Sequence, residues 1–379
     1  MIRRLCVFLL VLCLLLAACA GALAEAITIT DIQKYGNLIL SISGTELLES
    51  GFAYGDIVTA VIGGVSYDMP IGTNYSDVEE GSAICRVLID ETDDAVVLAI
   101  NMGELASRAG IATKTHLAEE PGYRWDYQVK TPVEVQILMK EPAGYLDQYL
   151  LRQLTRTNER ADYAHLTDAA FANFRPVETT GMGKGVLYRS SSPIDPENGR
   201  NTYADAAARE AGVETVLNLA DSLEGMEKQA GWMDSYYAGC EIIALNLGVD
   251  VMTAEFRHGL AEGLRFLAAH DAPYLVHCTE GKDRAGFVSA LLECFMGASA
   301  DEVLSDYMTT YINYYGVMPG SEQYRLVLES NIEKILKTAF DTDDLAAADL
   351  AAEAAEYMRL ELQMAEEDIV QLRQKLAGE

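Results

Sequence analysis

The chain has little positive charge: 28 Lys and Arg stand against 58 Asp and Glu among 379 residues, a formal net charge of −30. So large an excess of one sign repels phosphodiester backbones and anionic headgroups, which excludes nucleic acid and membrane surfaces as general partners. Histidine is scarce. The five, at 116, 165, 258, 270 and 277, show no ligand spacing, so no metal and no other cofactor is expected. Cysteine is scarce as well. Of seven, only Cys85, Cys240, Cys278 and Cys294 lie beyond residue 24, too few and too scattered for a disulfide framework.

Half the residues are apolar and the chain is long enough for two cores, so it is globular rather than disordered. Met1-Ile2-Arg3-Arg4 followed by an uncharged run to Ala24 has the charged, apolar and small-residue regions of a secretory signal. Ala22-Leu23-Ala24 offers a cleavage site. Leu16-Ala17-Ala18-Cys19 resembles a bacterial lipobox, with a lipid anchor at Cys19 the one expected membrane attachment; an uncleaved anchor is the third alternative. All three put the mature chain outside the cytoplasm, secreted or held at the cell surface. Removing residues 1–24 takes away Arg3 and Arg4 and no carboxylate, which moves the net charge from −30 to −32.

Residues 26–140 show short apolar runs broken by turn residues, from Ile27–Ile29 through Ile57–Ile62 and Ala83–Ile89 to Val133–Met139, with a helical segment at Glu104–Gly110. This pattern predicts a small, mostly-β, barrel-like domain. Residues 141–164 read as a linker helix, with Leu146, Tyr149, Leu150 and Leu154 on one face. Over 165–340 strand and helix patterns alternate, which predicts an α/β domain whose parallel or mixed sheet is flanked by helices. Four tyrosines at near-helical spacing, 307, 311, 314 and 315, are read as core, and 341–379 as acidic C-terminal helices.

The chemistry concentrates in His277-Cys278-Thr279-Glu280-Gly281-Lys282-Asp283-Arg284-Ala285-Gly286. The apolar run Pro273–Val276 precedes it, and a helical pattern at Phe287, Val288, Leu291, Leu292 and Phe295 follows. A strand, tight loop and helix in this order aim backbone N–H groups and a helix N-terminus into one concavity, which is an anion site whatever the side chains are. A thiol at its start sits under the same positive end, which favours the nucleophilic thiolate. Arg284 closes the loop, and its planar fork holds two phosphoryl oxygens at once. Cys278 is therefore the candidate nucleophile and Arg284 the clamp, with Thr279, Glu280, Gly281, Lys282, Ala285 and Gly286 lining the substrate cradle.

The spacing of Cys278 and Arg284, with His277 ahead, resembles the cysteine-dependent protein tyrosine phosphatase superfamily. HC-x-x-GKDR-x-G is similar to its branch of secreted bacterial tyrosine and phosphoinositide phosphatases. Asn173-Phe174-Arg175, Leu187-Tyr188-Arg189-Ser190 and Thr215–Ser222 (TVLNLADS) agree with that branch, and the resemblance covers about Leu166–Leu336. It implies a tyrosine-phosphatase-like fold and hydrolysis of phosphomonoesters through a phosphocysteine. A phosphorylated protein or a phosphoinositide would be the partner, and a non-catalytic phosphate-binding module is the alternative. It also implies Asp283 as general acid; Asp250, ahead of a helix, is the positional competitor. His277 is expected to orient the loop. Ala285 departs from the hydroxyl residue that most relatives carry there, and Glu280 and Lys282 pull substrate charge preference in opposite directions. Lys34–Leu38, Asn74–Val78 and Ala99–Gly103 resemble the C-terminal barrel of the S-adenosylmethionine hydroxide adenosyltransferases, without the N-terminal domain those enzymes need.

Overall fold

The computed structural model describes residues 26–90, 93–119 and 121–379, so the signal and the Cys19 anchor expected within 1–24 lie outside the described residues. The chain divides into two compact units, Met1–Leu154 and Thr155–Glu379. Among the described residues no helix is long and apolar enough to cross a membrane.

The first unit is built on a seven-stranded sheet: β1 (Ile29–Ile32), β2 (Leu38–Leu40), β3 (Ile57–Ile62), β4 (Val65–Gly72), β5 (Ala83–Ile89), β6 (Asp94–Ile100) and β9 (Val135–Glu141), in the order β1-β2-β6-β5-β4-β3-β9. β7 (Ala112–His116) and β8 (Tyr123–Tyr127) form a separate hairpin. The large sheet curls until its edges meet: Ile29 donates to the Val133 carbonyl (3.0 Å) and Val135 to that of Ile27 (2.9 Å). Closure pairs edge groups that would otherwise be open to other chains. Alternating residues such as Val58, Ala60 and Ile62 point into one core with Leu38, Val87, Val96 and Leu98. The helical run expected over 141–162 is shorter than its pattern: β9 runs on to Glu141 and the helix spans Leu146–Arg152, with no buried residue to extend it.

The second unit carries a five-stranded mixed sheet in the order β10-β11-β14-β12-β13, from β10 (Arg175–Pro176), β11 (Leu187–Ser190), β12 (Thr215–Asn218), β13 (Glu241–Ala244) and β14 (Tyr274–His277). The last four are parallel and β10 is an antiparallel edge. Both faces are covered. Val216 and Leu275 pack with Ala204 and Ala208 of the Asn201–Ala211 helix. Leu217, pointing the other way, meets the Ala254–Ala269 helix so closely that a Cβ at Gly263 would sit 2.5 Å from it. The Arg284–Met296 helix is buried from Ala285 onward, and the C-terminal helices Leu350–Leu360 and Glu366–Ala377 pack on it and on Ala254–Ala269. β14 is thus a central strand, buried at every residue, whose carboxyl end opens at the sheet's crevice.

Candidate active site

Cys278 is the first residue beyond β14 and is 3% exposed. From it the chain turns through 279–283 into the Arg284–Met296 helix, whose first bond runs from the Phe287 amide to the Asp283 carbonyl (2.9 Å). The turn requires glycine at 281: its φ is +69°, and a Cβ there would lie 2.2 Å from the Ser190 carbonyl oxygen.

The carbonyls of this loop all have partners outside it. Thr279 accepts from the Ser192 amide (3.1 Å). Asn173 Nδ2 donates to Glu280 (3.1 Å) and Gly281 (3.0 Å). Arg189 Nη2 donates to Gly281 (2.9 Å) and Lys282 (3.4 Å). The amides of 279–283, in contrast, meet no protein acceptor among the described residues. A loop whose carbonyls are pulled outward leaves its N–H groups for a guest, and only an anion suits several at once.

The anchors themselves form a buried ion network. Arg189, fully buried, donates to Asp306 Oδ2 (2.6 Å), while Arg175 Nε donates to Asp306 Oδ1 (2.8 Å). Burial opposes the Asp306 charge, but the two guanidiniums outweigh it and hold the carboxyl below its usual range. Asn173, at φ +55°, is fixed by Arg175 Nη1 (2.5 Å) and Thr310 Oγ1 (3.0 Å) on its Oδ1, which leaves Nδ2 for the loop. Of these four the sequence offers only Arg189, as a candidate attractor of anionic substrate, and its full burial on Asp306 and the Gly281 carbonyl makes it a support of the loop instead; two of the strings flanking the loop motif contain Asn173, Arg175 and Arg189.

Arg284 reaches across the mouth. Its Nη1 donates to the carbonyls of Leu247 (2.8 Å) and Leu219 (3.4 Å), and Nη2 to Thr279 Oγ1 (3.1 Å). Nε and the second Nη2 hydrogen have no acceptor among the described residues. Ala285 is fully buried, and a Cβ at Gly286 would lie 2.7 Å from the Tyr307 ring.

The charged loop residues pair with one another. Glu280 binds Arg156 and lies 3.5 Å from Lys282 Nζ. Burial works against its carboxylate, but Lys282 and Arg156 hold it below the ordinary range. Lys282 donates to the Tyr315 hydroxyl (3.2 Å), lies 3.6 Å from Asp283, and sits over the rings of Tyr311 and Tyr315. Asp283 keeps 56% of its side chain exposed; loss of hydration around the carboxyl pushes it up, Glu280 adds to this, and Lys282 and Arg284 oppose it. Asp250 lies on the turn that carries Leu247, exposed, with Oδ1 accepting from the Met252 amide (3.0 Å). A third carboxyl, Asp221, lies in the TVLNLADS string. It accepts from Asn218 (3.1 Å) and is raised by burial and by Asp195, against Arg284.

His277 is fully buried, and burial pushes its imidazole down to about 3, so it is neutral. Its firm partner is the Tyr237 hydroxyl at 2.7 Å from Nε2; Nδ1 is 3.5 Å from the Cys278 carbonyl. Tyr237 in turn accepts from Asn218 (3.1 Å), which leaves its hydroxyl proton for Nε2.

A cavity of about 750 Å³ lies elsewhere, in the first unit. Tyr35 and Asn37, Asn74 to Ser76, and Ile100 to Gly103 line it, from the three strings that resemble the adenosyltransferase barrel, together with Glu104.

Comparison with known proteins agrees with this geometry. Residues 171–378, more than half of the chain, match the tyrosine phosphatase family, and residues 26–118 match the SAM hydroxide adenosyltransferase C-terminal domain. No curated protein matches. Among solved structures, an uncharacterized conserved protein from Thermotoga maritima is 16% identical (TM-score 0.23) over 29% of this chain, and the chain spans only 35% of that protein. The core catalytic domain of the PP-IP phosphatase SIW14 from S. cerevisiae, in complex with citrate, is 16% identical (TM-score 0.27) over 44% of this chain and 91% of that one. A second structure of the Siw14 catalytic core is 14% identical (TM-score 0.24), covering 41% and 95%.

Proposed function

The chain belongs to the tyrosine phosphatase family, and from that premise we propose that it hydrolyses phosphomonoesters of the phosphotyrosine type through a phosphocysteine on Cys278. Phosphoinositides or inositol phosphates are the alternative substrates. One observation carries the reading: a loop beside a cysteine whose carbonyls are all engaged outside it and whose amides of 279–283 have no acceptor among the described residues.

In the first step the Cys278 thiolate attacks phosphorus in line with the ester oxygen. The P–O bond breaks, its electron pair stays with the leaving oxygen, and Asp283 supplies the proton. The loop amides and the open N–H groups of Arg284 hold the equatorial oxygens, where charge is concentrated in the transition state. In the second step water attacks the phosphocysteine, gives its proton to the Asp283 carboxylate, and the P–S electron pair returns to sulfur. With alanine at 285, Thr279, held by Arg284, is the loop hydroxyl that assists the departing thiolate. His277 and Tyr237 act through the backbone of Cys278 rather than on substrate.

Phosphate release from p-nitrophenyl phosphate tests the reading. Cys278→Ser should abolish it, and a wild type no faster than that variant leaves only a phosphate-binding module. The signal pattern at 1–24 supports an extracytoplasmic site of action, which cell fractionation checks.

A further inference from the structure

The two basic residues at the rim, Arg156 and Lys282, are the obvious groups to hold a second phosphate on a polyphosphorylated substrate. Both are already taken. Arg156 binds Glu280, Asn198 (3.0 Å) and Asn158, and its side chain is 17% exposed. Lys282, also 17% exposed, faces Glu280 (3.5 Å), Asp283 (3.6 Å) and the Tyr315 hydroxyl (3.2 Å), with the Tyr311 and Tyr315 rings over it. Glu280 is common to both pairs.

On the other side of the mouth, Asp221 lies two residues beyond Leu219, whose carbonyl accepts from Arg284 (3.4 Å), and Asp195 is close enough to add to the rise that burial gives Asp221. Three cations, Arg156, Lys282 and Arg284, therefore face four carboxylates, Glu280, Asp283, Asp221 and Asp195. The N–H groups still open belong to Arg284 and the loop, and one phosphate consumes them. A second phosphate, carrying about 1.5 to 2 negative charges, would have to displace Glu280 from two partners or sit against carboxylates.

Resting on the phosphatase reading above, we propose that the site selects esters bearing a single phosphate on a neutral or basic carrier, phosphotyrosine in a peptide with basic neighbours, and disfavours inositol polyphosphates. Glu280 is the residue that sets this selectivity, because it pairs with both rim cations. Arg284 stays dedicated to the transferred phosphate. The overall net charge of −30 acts in the same direction, since it repels a polyanion more strongly than a peptide of low or positive charge.

The test compares three ligands: a phosphotyrosine peptide with flanking lysines, the same peptide with flanking glutamates, and inositol hexakisphosphate. Turnover is followed on the wild type and affinity on Cys278→Ser by calorimetry. The lysine peptide should exceed hexakisphosphate in kcat/KM and in affinity by on the order of tenfold or more, with the glutamate peptide between them. Glu280→Gln should narrow the gap by on the order of tenfold by raising hexakisphosphate; the wild-type ranking decides alone should that variant not fold. Hexakisphosphate bound or hydrolysed as well as the lysine peptide overturns the proposal, as does failure of Cys278→Ser to bind any of the three. Absent turnover with the affinity ranking intact removes the phosphatase reading and keeps the selectivity.

Discussion

Arg189→Lys probes whether the buried network shapes the phosphate cradle. The guanidinium spans two tasks, binding Asp306 at 2.6 Å through Nη1 and the Gly281 carbonyl at 2.9 Å through Nη2. A single ammonium keeps the charge and one of these partners, not both, because it lacks the planar fork. The Asp306 pair is the stronger, so the carbonyls lose their donor; Gly281 retains Asn173 at 3.0 Å, and the Lys282 carbonyl has no second donor among the described residues. Losing a hydrogen bond from a charged donor costs about 1.5–3 kcal/mol, so urea unfolding should show a drop of about 2 kcal/mol with an unchanged m-value. Function should fall further than stability implies. Loop amides displaced by a fraction of an ångström lose alignment with the equatorial oxygens, and misplacements of about 1 Å cost on the order of 100-fold. We expect kcat/KM on p-nitrophenyl phosphate to fall by roughly 10- to 100-fold and the inhibition constant of inorganic phosphate to rise. A variant that loses the stability and keeps both kinetic constants would show the network to be scaffold alone.

Other perturbations test single residues. Asp283→Asn should reduce kcat on an alkyl phosphate by about 10²- to 10⁴-fold, and less on p-nitrophenyl phosphate, whose leaving group needs little protonation. Because lost hydration raises Asp283, the acid stays protonated to higher pH; kcat should fall as pH rises through its value, and the variant should lose that limb. Asp250→Asn should change kcat only a few-fold, since that side chain caps a turn; a larger loss there than at 283 would reverse the assignment. Ala285→Ser should speed breakdown of the intermediate and weaken any burst, and an unchanged burst in pre-steady-state kinetics contradicts the role given to a hydroxyl at that position. His277 is held at about 3 when folded and takes up a proton near 6.5 when unfolded. The unfolded state therefore binds more protons between about 3 and about 6.5, and stability falls as pH falls through that range, by up to about 1.4 kcal/mol per unit. His277→Gln should flatten that part of the stability–pH curve, and an equal slope in both proteins would refute a buried neutral imidazole.

The parts of the site legible in the sequence are those set by local chemistry. Tyr274–His277, four buried residues followed by a thiol, a glycine that the turn at 281 requires, and an apolar helix lie within a short stretch. What holds that stretch was not legible, because it depends on distant partners. Arg189 and Asp306 are 117 residues apart, and Arg156 meets Glu280 across 124. The opposed charges of Glu280 and Lys282 therefore could not be weighed from the sequence. Only the fold brings Arg156 and Tyr315 to them. In the first unit, β4 is not among the apolar runs because its apolar residues Val65, Tyr67, Met69 and Ile71 alternate with Ser66, Asp68 and Pro70 instead of standing together, while Ile57–Ile62 and Ala83–Ile89 have the expected bounds. The helix at Leu146–Arg152 falls short of its pattern because Thr155, Thr157 and Asn158, poor helix formers, follow it.

The most direct test of the central claim is to quench the enzyme during turnover of a ³²P-labelled phosphotyrosine peptide in acid and locate the label by mass spectrometry. The account predicts a covalently bound phosphoryl group on Cys278, trapped by the rapid denaturation, absent from Cys278→Ser and more abundant in Asp283→Asn, where water attack lacks its carboxylate. Turnover with no label on Cys278 at any time, or with label on another residue, would contradict it.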